Sequence, residues 1–340
     1  MRHRSILGIC LLLVLSGCGA SPSPPRAAAP AGTNSTTRFI VGQDGNLWQL
    51  TLPSPELTPL VEAAPIAAAQ HPALAPDGTQ LVYAYRPPIP TPSPTQPFIV
   101  PRTEIYLTTV AGGIGTSLHA SLEGFDSLDQ PAWSLDGTTI YAHYQTMRFA
   151  PDGVFLESGD DIVTIAIATK TVTPLIENAM YPTPSPDGTR LAFVRPGIDQ
   201  PPSLMIYDLA TKTEQQIMQS TFVSAMEAPA WSTDSTTLYF SISPTSAPSG
   251  ESRPAPWRWI MADTAQAHGF GWYLWKADVA TRTAQELNRQ VFEDPRLVYK
   301  PGTLYIWTLT GLWQLDLQAP ETPPVLVRES GDITGITGMP

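Results

Sequence analysis

The chain holds two cysteines, Cys10 and Cys18, both near the start of its 340 residues. It has no later apolar stretch long enough to span a bilayer, no excess of basic charge, and none of the common hydrolase signatures. Each shortage narrows the possibilities. A signal cut before Cys18 removes Cys10 and leaves no disulfide, so the fold must rest on its own core even in an oxidising compartment. Roughly 300 residues are enough for that. The formal charge is −11, and loss of Arg2 and Arg4 with a signal takes it to −13. That balance argues against nucleic acid and against an anionic membrane surface as electrostatic partners. There is no G-x-S-x-G elbow and no H-E-x-x-H helix motif. His71, His119, His143 and His268 show no pair at metal-ligand spacing. No catalytic residue, metal or cofactor is therefore assigned.

What is present begins with Met1-Arg2-His3-Arg4, a basic start, followed by the apolar run Ile6 to Leu15. Ten residues are too few for a spanning helix, which needs about 20, and suit the h-region of a secretory signal. Leu15-Ser16-Gly17-Cys18 closes that run. It resembles the bacterial lipobox, which implies cleavage before Cys18, a lipid on its thiol, and a place in the cell envelope outside the cytoplasm. Two acyl chains on one residue suffice for stable attachment. In a cell with two membranes, Gly19 rather than Asp after the cysteine resembles outer-membrane sorting. Residues 19–37, rich in Pro, Ala, Ser and Thr with Arg26 as their one charge, read as a disordered tether. Extended at about 3.1 Å per residue, it reaches on the order of 60 Å. The expected organisation is a signal at 1–17, a lipidated Cys18 and tether at 18–37, and one domain at 38–340.

That domain is repetitive. Four segments share one pattern: Pro72 to Thr79, Pro131 to Thr138, Pro182 to Thr189 and Pro229 to Thr236. Each carries Asp-Gly-Thr, or Asp234-Ser235-Thr236 in the last, and runs into a strand-like segment such as Leu81 to Tyr85 or Leu238 to Ile242. The Asp-Gly turn closes a hairpin, with Gly in the left-handed position. Ser235 in that position predicts a hairpin of different geometry. A third strand repeats six times, from Leu47-Trp48-Gln49-Leu50 to Leu312-Trp313-Gln314-Leu315. A fourth strand follows turns such as Ala168 to Thr171, Ala210 to Thr213 and Ala280 to Thr283. Four short antiparallel strands per unit are the blade of a propeller.

The P-x-x-S-x-D-G-T repeat, over residues from about 37 to 329, resembles the TolB-type propeller family, a relative of WD-repeat propellers. The count gives an all-β, six-bladed β-propeller of four-stranded antiparallel blades. The first blade lacks its inner strand, and Asp332 to Thr337 is placed to supply it and close the ring, which removes an open edge. Trp133 and Trp231 recur in the first strand and Trp48, Trp275 and Trp313 in the third, so all five are expected to pack core and blade contacts.

Function is sought in what varies. The distance from turn to turn is 33 residues from Asp136 to Thr169, 24 from Asp187 to Thr211 and 47 from Asp234 to Thr281. The excess lies between strands two and three, and the blade before has a similar insert, Arg86 to Arg102. In a propeller all such loops share one face, opposite the Asp-Gly turns, and inserts grafted on a rigid scaffold commonly carry function. The candidate binding residues are Arg86, Tyr144, Arg148, Arg253, Trp257, Arg258, Trp259, His268 and Trp272, because Arg and Trp are enriched in interface hot spots. Asp160, Asp161, Glu123, Asp126 and Asp129 form acidic clusters, read as solvated loop charge. The leading expectation is a membrane-anchored, non-enzymatic binding or scaffold module for a protein, peptide or glycan. The alternative is a propeller glycosidase or lyase using paired carboxylates of those acidic loops.

The lipobox reading makes a direct forecast. Cys18→Ala should abolish incorporation of an acyl precursor and release the protein from membranes, while circular dichroism shows the same β fold. Undiminished label on the variant would remove the anchor assignment.

Overall fold

The computed structural model describes residues 36–88, 102–119, 126–150, 154–197, 200–245 and 271–339. Within them lie 24 strands in six four-stranded antiparallel sheets. Blade 1 is β1 (Thr37–Gln43), β2 (Asn46–Leu52), β3 (Glu56–Val61) and, from the far end of the chain, β24 (Ile333–Gly338). Blade 2 is β4 (Ala68–Leu74), β5 (Gln80–Arg86), β6 (Glu104–Thr109) and β7 (Thr116–Ser117). Blade 3 is β8 (Ser127–Trp133), β9 (Thr139–Phe149), β10 (Phe155–Ala166) and β11 (Thr171–Ile176). Blade 4 is β12 (Met180–Pro184), β13 (Arg190–Arg195), β14 (Ser203–Asp208) and β15 (Thr213–Gln219). Blade 5 is β16 (Val223–Trp231), β17 (Thr237–Pro244), β18 (Trp272–Asp278) and β19 (Thr283–Phe292). Blade 6 is β20 (Arg296–Lys300), β21 (Thr303–Thr308), β22 (Gly311–Asp316) and β23 (Val325–Arg328). The inner strands β4, β8, β12, β16, β20 and β24 contact their neighbours in a closed cycle. This is the six-bladed propeller expected from the repeat.

The strand chemistry follows position in the blade. Second strands lie between neighbouring sheets and are buried on both faces, as in β5, where Leu81 to Tyr85 are all buried. Such strands read as unbroken apolar runs rather than alternation. Outer strands face solvent and carry polar residues, as in Thr171–Ile176. Trp133 and Trp231 are buried, and each indole N–H donates to the inner strand of the preceding blade, Trp133 to Ala73 O and Trp231 to Thr183 O, both at 2.9 Å. Trp48, Trp275 and Trp313 are partly buried against core clusters.

The repeated turn explains its own sequence. Asp136 accepts hydrogen bonds from the Thr138 amide at 3.0 Å, the Thr138 hydroxyl at 2.9 Å and the Ser134 hydroxyl at 2.6 Å. The Ser134 oxygen in turn accepts from the Thr139 amide at 3.0 Å. The same set recurs at Asp187 and Asp234. Hydrogen bonds to the charged form, from Ser134 and Thr138, hold the Asp136 carboxyl below the ordinary aspartate range. Gly78, Gly137 and Gly188 have φ of 73°, 69° and 71°. Ser235, expected to differ, adopts the same turn with φ of 59°. The compensation comes from the preceding blade: the Asp187 amide donates to its hydroxyl at 3.1 Å, and Arg190 Nη2 donates to its carbonyl at 2.7 Å.

β24 pairs antiparallel with β1, Phe39 opposite Gly338 through Gln43 opposite Ile333. Two backbone bonds of 2.8 Å bracket this pairing, Asp44 N to Asp332 O and Met339 N to Arg38 O. Gly335 sits where a Cβ would meet the His71 Cα at 2.9 Å, so only glycine lets the closing strand approach blade 2. Deleting residues 331–340 should uncover the edge of β1 and lose the burial of Ile333 and Met339, worth about 3 kcal/mol for the side chains alone. The expected result is a lower melting temperature for the whole domain. A truncated protein that melts with the intact one would refute strand closure.

Candidate functional site

The face opposite the Asp-Gly turns carries the inserts. In blade 3 the insert is a continuation of the blade itself: β9 and β10 stay paired from Ala166 opposite Thr139 out to Phe155 opposite Phe149. β8 accompanies β9 only to Gln145, and β11 accompanies β10 only from Ile162. A two-stranded ribbon therefore stands beyond the sheet. Near its end Val154, Phe155 and Leu156 are 57%, 54% and 61% exposed.

At the base of the ribbon Tyr144 and Arg148 converge on the buried Asp126. The tyrosine hydroxyl donates to Oδ2 at 2.5 Å and Arg148 Nη1 to Oδ1 at 2.6 Å. The structure thus joins two of the expected binding residues. Arg86 ends β5 of blade 2, opposite Ala68, and Trp272 opens β18 of blade 5, opposite Phe292. They share the face but sit on other blades. Arg253, Trp257, Arg258, Trp259 and His268 lie outside the described residues, as do Glu123 and Cys18 with its signal and most of its tether.

A second set of residues, of which sequence reading singled out only Asp129, lines the central channel. Each inner strand of blades 2 to 5 carries a β-bulge where a residue precedes proline. His71, Gln130 and Tyr181 take positive φ of 47°, 50° and 59° before Pro72, Pro131 and Pro182, and Asp294 does the same at 49° before Pro295. Proline cannot donate to the ladder, and the bulge re-aims the neighbouring side chains. They form a girdle across the blade boundaries. His71 Nδ1 meets Asp129 Oδ1 at 2.6 Å, between blades 2 and 3. Gln130 Oε1 accepts from the Tyr181 amide at 3.0 Å, between blades 3 and 4. The Tyr181 phenol lies beside the Glu227 carboxylate, between blades 4 and 5. Arg296 binds Glu227 and, at 2.9 Å, Asp294, between blades 5 and 6.

Burial sets the electrostatics. It would raise the Asp129 carboxyl, but His71 and the Gln130 amide bring it below the ordinary value. It pushes Glu227 up against the opposing pull of Arg296. Burial also raises the Tyr181 phenol. On β10, Asp160 is held low by His143, whose Nε2 lies 2.9 Å away. The described members of the acidic clusters are therefore not solvated loop charge. Asp129, Asp160 and Asp161 stand on strands, Asp126 immediately precedes one, and each has a partner, Asp161 accepting from the Asn178 amide at 2.9 Å. Sequence reading missed this because cross-blade pairing is a tertiary property. The one local signal was the changing residue before the repeated proline.

Chemically, the channel cavity measures about 240 Å³, less than the roughly 300 Å³ at which small-molecule pockets begin. Among the described residues, no group of three His, Cys, Asp or Glu side chains is placed to hold a metal ion. The girdle ties neighbouring blades to one another by ion pairs and hydrogen bonds. Arg296→Met should leave Glu227 buried and unpaired and cost about 3–5 kcal/mol, measured by denaturant unfolding. Adding Glu227→Gln should recover part of that loss. Equal stability of the single variant and the wild type would show that the girdle carries no load.

No protein-family model and no curated protein matches the sequence. Solved structures do match in fold. TolB from Acinetobacter baumannii superposes with a TM-score of 0.56 at 14% identity, over 90% of this chain and 66% of TolB. This chain thus spans just under two thirds of the TolB chain. An oligogalacturonate lyase in complex with manganese superposes with a TM-score of 0.50 at 12% identity, over 84% of this chain and 70% of the lyase. At such identities the likeness is one of fold: this chain has a TolB-like β-propeller architecture.

Proposed function

We propose that this protein is an envelope lipoprotein, anchored by a lipid on Cys18, whose propeller binds a protein partner on the insert face. The observation that carries the reading is the projecting β9–β10 ribbon with Phe155 and Leu156 exposed near its end. Exposed apolar surface that is contiguous marks an interaction site, and Val154, Phe155 and Leu156 are consecutive exposed apolar residues. The channel offers little room for a substrate, and its carboxylates are engaged by His71 and Arg296.

β1 is the second strand of its blade, and second strands begin at the Asp-Gly turn face, as β5 does after Thr79. The propeller's first strand therefore starts on the turn face, opposite the inserts. The Arg- and Trp-bearing segment Ser243 to Gly271 belongs to the same inter-strand position in blade 5.

Two double variants test the proposal: Trp257→Ala with Trp259→Ala, and Phe155→Ser with Leu156→Ser. Anchors of this kind contribute about 2 kcal/mol or more, so each pair should weaken recovery of surface-captured partner proteins at least about tenfold. Melting temperatures should be unchanged. Variants that melt early yet capture the same partners would mean that these side chains only cap the propeller.

A further inference from the structure

We infer that the outer edge of β10 accepts an extended segment of the partner as an added β-strand. This deepens the reading of the insert face as a protein-binding surface and rests on it. Among the described residues, no strand pairs with that edge between Phe155 and Gly159, because β11 joins only at Ile162. The direction of the backbone groups is set by one bond. The Asp160 carbonyl accepts from the Ala179 amide at 2.8 Å, on the side away from β9. In an antiparallel strand the N–H and C=O of one residue point to the same side and alternate along the chain. No register shift separates Asp160 from Ser158, so the Ser158 N–H and C=O also point outward. A lone two-stranded ribbon is marginal in water, and an unpaired edge is a template for another chain. Between Gln145 and Phe149, and between Phe155 and Asp160, this ribbon holds no lysine and no proline to blunt it.

The side chains along the edge describe the occupant. The outer end is apolar, with Phe155 and Leu156 exposed. The inner end is acidic, with Glu157 and Glu177 exposed and Asp161 partly so. An antiparallel guest runs from the blade toward the ribbon's end. It would therefore carry basic residues first and alternating apolar residues after them. A second copy fits less well, because a chain of net charge −11 repels itself at close range.

The probe is a fluorescent peptide, RKTVTVTVT, titrated against the detergent-solubilised full-length protein by anisotropy. Saturable binding is expected. Ser158→Pro removes an outward donor without touching the β9–β10 ladder, so it should weaken binding at least tenfold with an unchanged melting temperature. Methylating alternate peptide amides, which leaves the protein intact, should weaken it equally. Either no binding of the parent peptide, or equal binding of the methylated one, would overturn strand addition. So would concentration-dependent self-association that Ser158→Pro abolishes, since the occupant would then be a second copy. If partner capture is still lost in the Phe155→Ser, Leu156→Ser variant while the peptide fails, the protein-binding reading survives and strand addition alone falls.

Discussion

Everything in this molecule depends on the pairing of β24 with β1. Six twisted sheets arranged radially bury their faces against one another only if the circle is complete; otherwise two faces and one inner edge meet water. The chain achieves completion by delaying the innermost strand of its first blade to its last residues, so the two ends are joined by a backbone ladder. Trp307, fully buried in blade 6, reinforces the junction by donating its indole N–H to Gly42 O of blade 1 at 3.4 Å. Without a disulfide, this non-covalent seam is what holds first blade to last, and Gly335 is the small residue that makes it sterically possible.

Within the closed ring, cohesion is layered. Apolar clusters fill the space between sheets, with members such as Val82, Leu128 and Val163 drawn from adjacent blades. On the turn face, Asp, Ser and Thr side chains saturate the hairpin amides, and the turn of blade 5 borrows its stability from the turn of blade 4 through Ser235. Around the channel, polar side chains bridge blade to blade. The bulges that deliver them hold non-glycine residues at positive φ, a conformation that costs on the order of 1 kcal/mol or more each. Fully partnered, such networks add rigidity and register to an apolar core.

This division of labour leaves the insert face as the part that varies most from blade to blade. The turn face is occupied by repeated local hydrogen bonds, and the channel by paired charges. The inserts differ from blade to blade in length and composition, and the one seen most fully, the ribbon of blade 3, exposes apolar side chains and a backbone edge. A rigid scaffold with variable attachments on one side is suited to recognition, because the attachments can change without disturbing the ring.

The fold was legible from sequence because its determinants are local and repeated: the turn residues Asp136-Gly137-Thr138 and their equivalents, the apolar second strands, and the spacing that left blade 1 one strand short. Two of the expected binding residues, Tyr144 and Arg148, prove to share a carboxylate, but nothing in their spacing named Asp126 as the partner. The pairing of His71, Asp129, Tyr181, Glu227 and Arg296 around the channel was not legible beyond the changing residue before each repeated proline. These residues are separated by tens of positions, and each looks unremarkable in its own strand. Only closure of the ring brings the inner strands together around one axis. What local chemistry dictates, the amino-acid order determined: strands, turns and blade count. Which charges meet, and which edge of the blade 3 hairpin stays open, was decided by tertiary structure, because both depend on where neighbouring blades end.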